Sequence, residues 1–273
     1  MPEFSEFVRE RKVLKNVTPR TLSWYEQSWK SWQKHSGTPP DPKTYVINLR
    51  EAGVSATGVN SYARALNAYF RWSGLPTIPK LKEEQKVLPV FSANDIRSII
   101  MAKTARTRTF NLCLLLLDTG VQIQEALSLR IKDIDFDNLL VTVKGKGNKS
   151  RVIPMSFELR KVIWKFNHDG SNGEGLLFHT RTGKKLSHRN TYRSIKTFLE
   201  RINVTPPERM IHAFRHTFAI NYLRAGGSVF HLQKVLGHAS LEMTRRYANL
   251  LTEDLQLAHQ KCSLLSRSVS GRF

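Results

Sequence analysis

Apolar residues recur through the first eighty positions at spacings of three and four, the period of α-helices that bury one face. Leu22, Tyr25, Trp29 and Trp32 follow Thr18-Pro19, a capping hydroxyl with proline at the first helical position, and Gly37 closes the run. Pro39-Pro40-Asp41 opens a shorter helix to about Glu51; Val59, Tyr62, Ala63, Leu66 and Phe70 mark a third that reaches Trp72 and stops at Gly74. Residues 1–85 are therefore expected to form a small helical bundle. From Gly74 to Pro89 the period disappears, and Pro76, Pro79 and Pro89 alternate with Lys80, Lys82 and Lys86, the composition of a linker.

The helical pattern resumes at Ser92, whose spacing to Asp95 fits a capping box, and two helices are expected to about Thr119. A short helix around Gln122 to Leu129 precedes a β-rich run, Leu139-Leu140-Val141-Thr142-Val143. The turn residues Gly145-Lys146-Gly147-Asn148 and the return strand Arg151-Val152-Ile153-Pro154 complete a β-hairpin. Beyond Ser156 the pattern is mostly helical, with a strand expected at Leu176 to His179. The fold class is mainly α with a small β-sheet, in two domains, 1–85 and 86–273, without internal repeats.

Charge adds a partner to this picture. The 273 residues carry 43 Lys and Arg against 22 Asp and Glu, a net +21 spread along the chain, as suits a folded surface that tracks phosphates. Cys113 and Cys262, the only cysteines, are too few for a disulfide framework or a four-cysteine zinc site. The longest apolar stretch, Leu112 to Leu117, is far short of the roughly 20 residues that cross a bilayer, and the start lacks a signal-peptide pattern. A cytoplasmic protein is expected.

The candidate chemistry lies in His212-Ala213-Phe214-Arg215-His216, Leu236-Gly237-His238 and Thr244-Arg245-Arg246-Tyr247. His212 and Arg215, three apart, share a helix face and can reach one anionic group. Singly, such pieces are more often a basic helix with a buried histidine. With Asp118-Thr119-Gly120, Glu125-Ala126-Leu127 and the Gly145-Lys146-Gly147 hairpin, all in this order, residues 92–250 resemble the catalytic domain of tyrosine site-specific recombinases, the phage-integrase and Xer family. Residues 1–85 resemble that family's helical, SAM-like core-binding domain, and the order of motifs favours this family over the type IB topoisomerases that share its chemistry.

The resemblance implies an enzyme that cuts and rejoins duplex DNA without metal or nucleotide. Tyr247 would form a 3′-phosphotyrosyl link, Lys146 would protonate the departing 5′-oxygen, and Arg215 would hold the non-bridging oxygens. His212 would accept the tyrosine proton or support the phosphate, His238 would donate to a phosphate oxygen, and His216 is assigned to packing or a supporting role. Arg64, Arg71 and Lys80 from the first domain, with Lys184, Lys185, Arg189 and Arg193 from the second, are the candidate contacts to DNA backbone. Leu251, Leu255 and Ala258 fall at helical spacing; such a last helix either packs on its own domain or docks into a neighbouring subunit, giving a cyclic tetramer on two DNA sites that works through a Holliday junction. At this length no space is expected for an additional arm-binding domain, which places the chain with compact Xer-like, integron or transposon recombinases.

One position departs from the family. In the pattern Thr-Gly-x-Arg-x-x-Glu the first catalytic arginine falls at Gln122. A glutamine amide can donate to a phosphate oxygen but carries no charge and lacks the guanidinium fork. The chemical step should suffer, while DNA binding, resting on many phosphate contacts, should lose little. An inactivating change that traps an uncleaved complex, a natural variant of low activity, and a member that binds DNA without cutting all fit; the alternative function is a DNA-binding or architectural protein with a defunct active site.

Overall fold

Thr18, Asp41 and Ser55 each accept a backbone N–H from three residues ahead, and the first two are followed by proline, which fixes where three helices begin. A computed structural model of the chain describes residues 3–83, 88–102, 107–145, 150–168 and 175–248, in two compact units, Met1–Lys86 and Val87–Phe273. The first unit holds α1 (Phe4–Val13), α2 (Pro19–His35), α3 (Pro42–Glu51) and α4 (Ala56–Ser73). Helix α1 was not expected from the periodicity: Phe7 is its one buried residue, too few for a repeating apolar face. The core is aromatic, with Phe4 stacked on Trp29 at 4.7 Å and Trp32 edge-on to Phe70 at 4.9 Å.

The segment expected to be a linker from Gly74 is instead fastened to α4 over much of its length. Asn67 accepts from Ile78 N at 2.7 Å and donates to Ile78 O at 2.8 Å. Two helical turns earlier, Asn60 accepts from Leu81 N at 2.8 Å and donates to Leu81 O at 2.9 Å. Prolines cannot join a ladder, but two carboxamides on one helix face satisfy the backbone between them.

In the second unit the Ser92–Asp95 capping box opens α5 (Ala93–Met101), followed by α6 (Arg108–Thr119) and α7 (Ile123–Ala126), shorter than the expected Gln122–Leu129. The hairpin forms as β2 (Leu140–Lys144) and β3 (Ser150–Pro154), antiparallel with Val141 opposite Ile153 and Lys144 opposite Ser150. A short strand unforeseen in the sequence, β1 (Ile134–Asp135), pairs with the other side of β2. The strand expected at Leu176 to His179 is absent; only isolated bridges occur there, Arg130 with Leu176 and His179 with Lys185, because no neighbouring strand extends the ladder. Helices α8 (Phe157–His168), α9 (His188–Arg201) and α10 (Met210–Arg224) pack around α6 over an aliphatic core that includes Leu112, Leu115, Leu116, Ile163, Ile195 and Leu199. Helices α11 (Val229–Leu236) and α12 (Leu241–Ala248) lie against α10. Among the described residues no helix is long and apolar enough to cross a membrane.

Candidate active site

Helix α10 carries His212, Arg215 and His216 in its first two turns. Arg215 is only 7 % exposed. Its Nη1 donates to the Gly120 carbonyl at 2.8 Å and its Nη2 to the Leu236 carbonyl at 2.5 Å. Those carbonyls sit just before Gln122 and His238, so one guanidinium ties both distant motifs to α10. Both turns require glycine. Gly120 has φ 61° and a Cβ there would fall 2.3 Å from the Phe218 ring; Gly237 has φ 67° and a Cβ would fall 3.1 Å from Arg151.

Arg151, on β3, repeats the linkage. Its Nη1 and Nη2 donate to the two Glu125 carboxylate oxygens at 2.7 and 2.8 Å, and its Nε to the Val235 carbonyl at 2.8 Å. Glu125 also accepts the Gln122 N–H at 2.8 Å. The two arginines therefore bridge the same pair of segments, and the Glu125 carboxylate, with Tyr247, offsets the penalty that burial imposes on the Arg215 charge.

Tyr247, on α12, is 4 % exposed. Its hydroxyl lies 3.0 Å from His216 Nδ1 and faces the Arg215 guanidinium. The His238 ring lies parallel to the Tyr247 ring at 6.2 Å, its Nδ1 2.9 Å from Thr244 Oγ1. Burial raises the Tyr247 phenol above its usual pKa, while Arg215 and Arg246 pull the other way. Burial and the surrounding cationic groups bring His216 and His238 down to about 4, and burial, with Arg209, Arg215 and His188, lowers His212 as well. The result is a buried phenol among neutral imidazoles and one fixed guanidinium, an arrangement able to hold an anionic group against a hydroxyl nucleophile.

The sequence profile of the Phage integrase family matches residues 86–254. Tyrosine recombinase XerA of Pyrococcus horikoshii is 30 % identical over 283 residues, covering 99 % of this chain and 96 % of the relative. The chain belongs to the phage integrase family of tyrosine recombinases. Among solved structures, XerA recombinase aligns with TM-score 0.57 and 22 % identity over 96 % of this chain and 99 % of that one. A Tn1549 transposon integrase in complex with transposon right end DNA aligns with TM-score 0.73 and 20 % identity over 93 % and 98 %. These two likenesses show a shared fold.

Other sequence-predicted residues of this recombinase are spread over both units. Gln122 is the exposed N-cap of α7. Lys146 lies outside the described residues, as do Leu251, Leu255 and Ala258. Arg64 and Arg71 are exposed on α4; Lys80 is exposed on the fastened segment and, like Arg64, helps hold the Glu83 carboxyl below its usual pKa after the hydrogen bonds from Asn60 and Thr57. Lys184, Lys185, Arg189 and Arg193 are exposed around the start of α9, where Lys185 Nζ donates to Ser128 Oγ.

Three residues at the site were not anticipated. His216, assigned from sequence to packing or a supporting role, stands against the Tyr247 hydroxyl itself; its position four residues after His212 was the available signal, since the two share a helix face. Arg151 gave no signal, and Thr244, though quoted in the motif that ends at Tyr247, gave none of its contact with His238, because these partnerships with Glu125, Val235 and His238 form only on folding.

Proposed function

We propose that this family member is a site-specific DNA recombinase that cuts duplex DNA with Tyr247, holds the strand as a 3′-phosphotyrosyl link, and passes it to a second duplex through a Holliday junction. The reading is supported above all by Arg215 and His216 meeting at the Tyr247 hydroxyl within a site that Arg215 itself fastens together. Transesterification requires a nucleophile, stabilisation of a phosphorane bearing extra negative charge, and a proton for the departing 5′-oxygen. Tyr247 supplies the first, and Arg215 the second through N–H groups beyond the two engaged by carbonyls. His238, whose Nδ1 is occupied by Thr244, presents Nε2 to a phosphate oxygen; His212 supports the same phosphate; Lys146 is the general acid. The covalent link conserves the phosphodiester bond energy, so no nucleotide is consumed. Arg64, Arg71, Lys80, Lys184, Lys185, Arg189 and Arg193 contact the DNA backbone.

Gln122 places a neutral amide where the family pattern has arginine, and on this reading it slows cleavage without weakening DNA binding. The working assembly is a tetramer on two sites. A groove of about 920 Å³ in the second unit, lined by Ile96, Ile100, Leu114, Leu117 and Phe166 and rimmed by Lys161 and Lys165, suits the segment around Leu251, Leu255 and Ala258 of a neighbouring copy, which also carries Glu253 and Asp254.

Selection from a random duplex pool identifies the bound site, and a nicked suicide duplex carrying it then reports cleavage as a covalent adduct on a denaturing gel. The adduct is expected with arginine at position 122 and is expected to vanish on Tyr247→Phe. Tight binding with no adduct in either 122 background supports instead a DNA-binding protein with a silent site, the reading that Gln122 alone favours.

A further inference from the structure

We propose that His216 is a catalytic residue: its Nδ1 aims the Tyr247 hydroxyl and takes the phenolic proton as the oxygen attacks phosphorus. This rests on Tyr247 being the nucleophile, as read above. The contact is direct, 3.0 Å from Nδ1 to the hydroxyl, with both side chains carried on packed helices, α10 and α12. The direction of the hydrogen bond follows from its neighbours. Among the described residues the other groups acting on the hydroxyl are the Arg215 guanidinium, which hydrogen-bonds to it, and the nearby Arg246, and a guanidinium has donors and no acceptor. The phenolic hydrogen must therefore point at His216, making Nδ1 the acceptor and placing the imidazole hydrogen on Nε2.

The other histidines of the described site are differently engaged. His238 lies with its ring parallel to that of Tyr247, the centres 6.2 Å apart, and its Nδ1 is engaged by Thr244 Oγ1. His212 lies one helical turn before His216, its ring centre 6.4 Å from that of His216, with Arg209, Arg215 and His188 as its charged neighbours. Burial among His212, Arg209 and Arg215 of its own helix and Arg246 of α12, with His238 also facing the pair, keeps the His216 lone pair unprotonated at neutral pH. Extra negative charge on the phosphorane then raises its proton affinity where the transition state needs it.

In the step, the bond from Tyr247 Oη to phosphorus forms as the bond from phosphorus to O5′ breaks. The O–H electron pair stays with the phenolic oxygen, the proton passes to Nδ1, and the departing 5′-oxygen is protonated by the general acid assigned to Lys146. Rejoining runs in reverse, with the His216 imidazolium returning its proton to the phenolate.

Two measurements test this. In the free protein labelled with tyrosine carrying ¹³C at Cζ, with the Tyr247 signal identified by Tyr247→Phe, His216→Phe is expected to shift that signal; an unmoved signal shows the hydrogen bond to be absent and overturns the proposal. In single-turnover cleavage of the suicide duplex in the Gln122→Arg background, His216→Phe is expected to slow adduct formation about 10²–10⁴-fold at unchanged DNA affinity. A 5′-bridging phosphorothiolate, whose sulfur leaves without a proton, should rescue Lys146→Ala but not His216→Phe. His216→Asn, which can accept a hydrogen bond but not keep a proton, should remain slow. Cleavage by His216→Phe within twofold of its parent, or full rate in His216→Asn, overturns the proton-accepting role. A parent that binds DNA yet forms no adduct overturns the nucleophile reading and this proposal with it, and the carbon signal then still reports whether the contact exists.

Discussion

Asn60 and Asn67 in the helical unit, and Arg215 and Tyr247 in the second unit, are all buried polar side chains, yet they are satisfied in different ways. Each asparagine closes a pair of hydrogen bonds with the backbone of a single nearby residue, Leu81 or Ile78, and its hydrogen-bonding capacity is largely consumed in holding the chain. Arg215 uses two carbonyls to assemble its surroundings and still faces a hydroxyl that is itself matched to a neutral imidazole. On the proposed function, the difference separates a polar core that stabilises from one equipped to react: in the second case donors and acceptors are left over and aimed at the same point.

The sharpest way to break this contrast is to remove the reacting atom. Tyr247→Phe should lower adduct formation by at least ~10⁴-fold with DNA affinity retained. Arg64→Ala with Arg71→Ala in the helical unit should do the opposite, weakening binding and reducing the salt slope by about 2 while any bound complex still cleaves. An adduct from Tyr247→Phe, resolved by gel and peptide mapping, would place the chemistry elsewhere.

Next in size is the arginine that touches no proposed substrate position. Arg151→Met leaves the Glu125 carboxylate, 8 % exposed, without its fork and should destabilise the second unit by about 3–5 kcal/mol. Hydrogen exchange read by peptide should show the loss across α7, β3 and α11, with α2 to α4 unchanged. Gln122→Arg should raise single-turnover cleavage about 10²–10³-fold with little change in affinity; equal rates would mean that the site needs no charge there.

A smaller effect sharpens the other side of the comparison. Asn67→Leu leaves the Ile78 backbone pair unsatisfied and should cost about 1–3 kcal/mol, confined to the helical unit and seen as lost exchange protection near residue 78. A last contrast between the units comes from acid. His216 and His238 stay neutral in the folded protein to about pH 4 but protonate near 6.5 when unfolded. The unfolded state thus binds more protons between those limits, and stability of the second unit should fall as pH drops from 6.5 to 4. A lower Tm at pH 4 than at pH 6.5 is expected for that unit, read by calorimetry. The helical unit should change little until the acid end of that range, since its lowered carboxylates, Asp41 and Glu83, begin to lose their contribution only near their ordinary values of 3.8 and 4.5.

Helix starts were legible wherever a capping side chain and a proline stand together, as at Thr18-Pro19, and the hairpin was legible because β-rich residues flank turn chemistry. Helix α1 was not, since a single buried phenylalanine makes no period. The fastened segment after Gly74 read as a linker because prolines and lysines have the same composition whether solvated or tied down, and the asparagines that tie it down belong to another element. At the site, the order of the histidine, arginine and tyrosine motifs was visible, but the sequence left His216 between packing and a supporting role, because its contact with Tyr247 joins two helices.

Local pattern thus determined most of the helices and the hairpin, the strong positive charge and the set of chemically capable residues, because capping, periodicity and motif spacing act between positions a few residues apart. Tertiary structure decided which of those residues meet. The bonds from Arg215 to Gly120 and Leu236, from Arg151 to Glu125 and Val235, and from Tyr247 to His216 join segments distant in the chain. Spacing along one helix cannot encode such pairings; they exist only once α6, α10, α11 and the sheet have packed and excluded water from the groups between them.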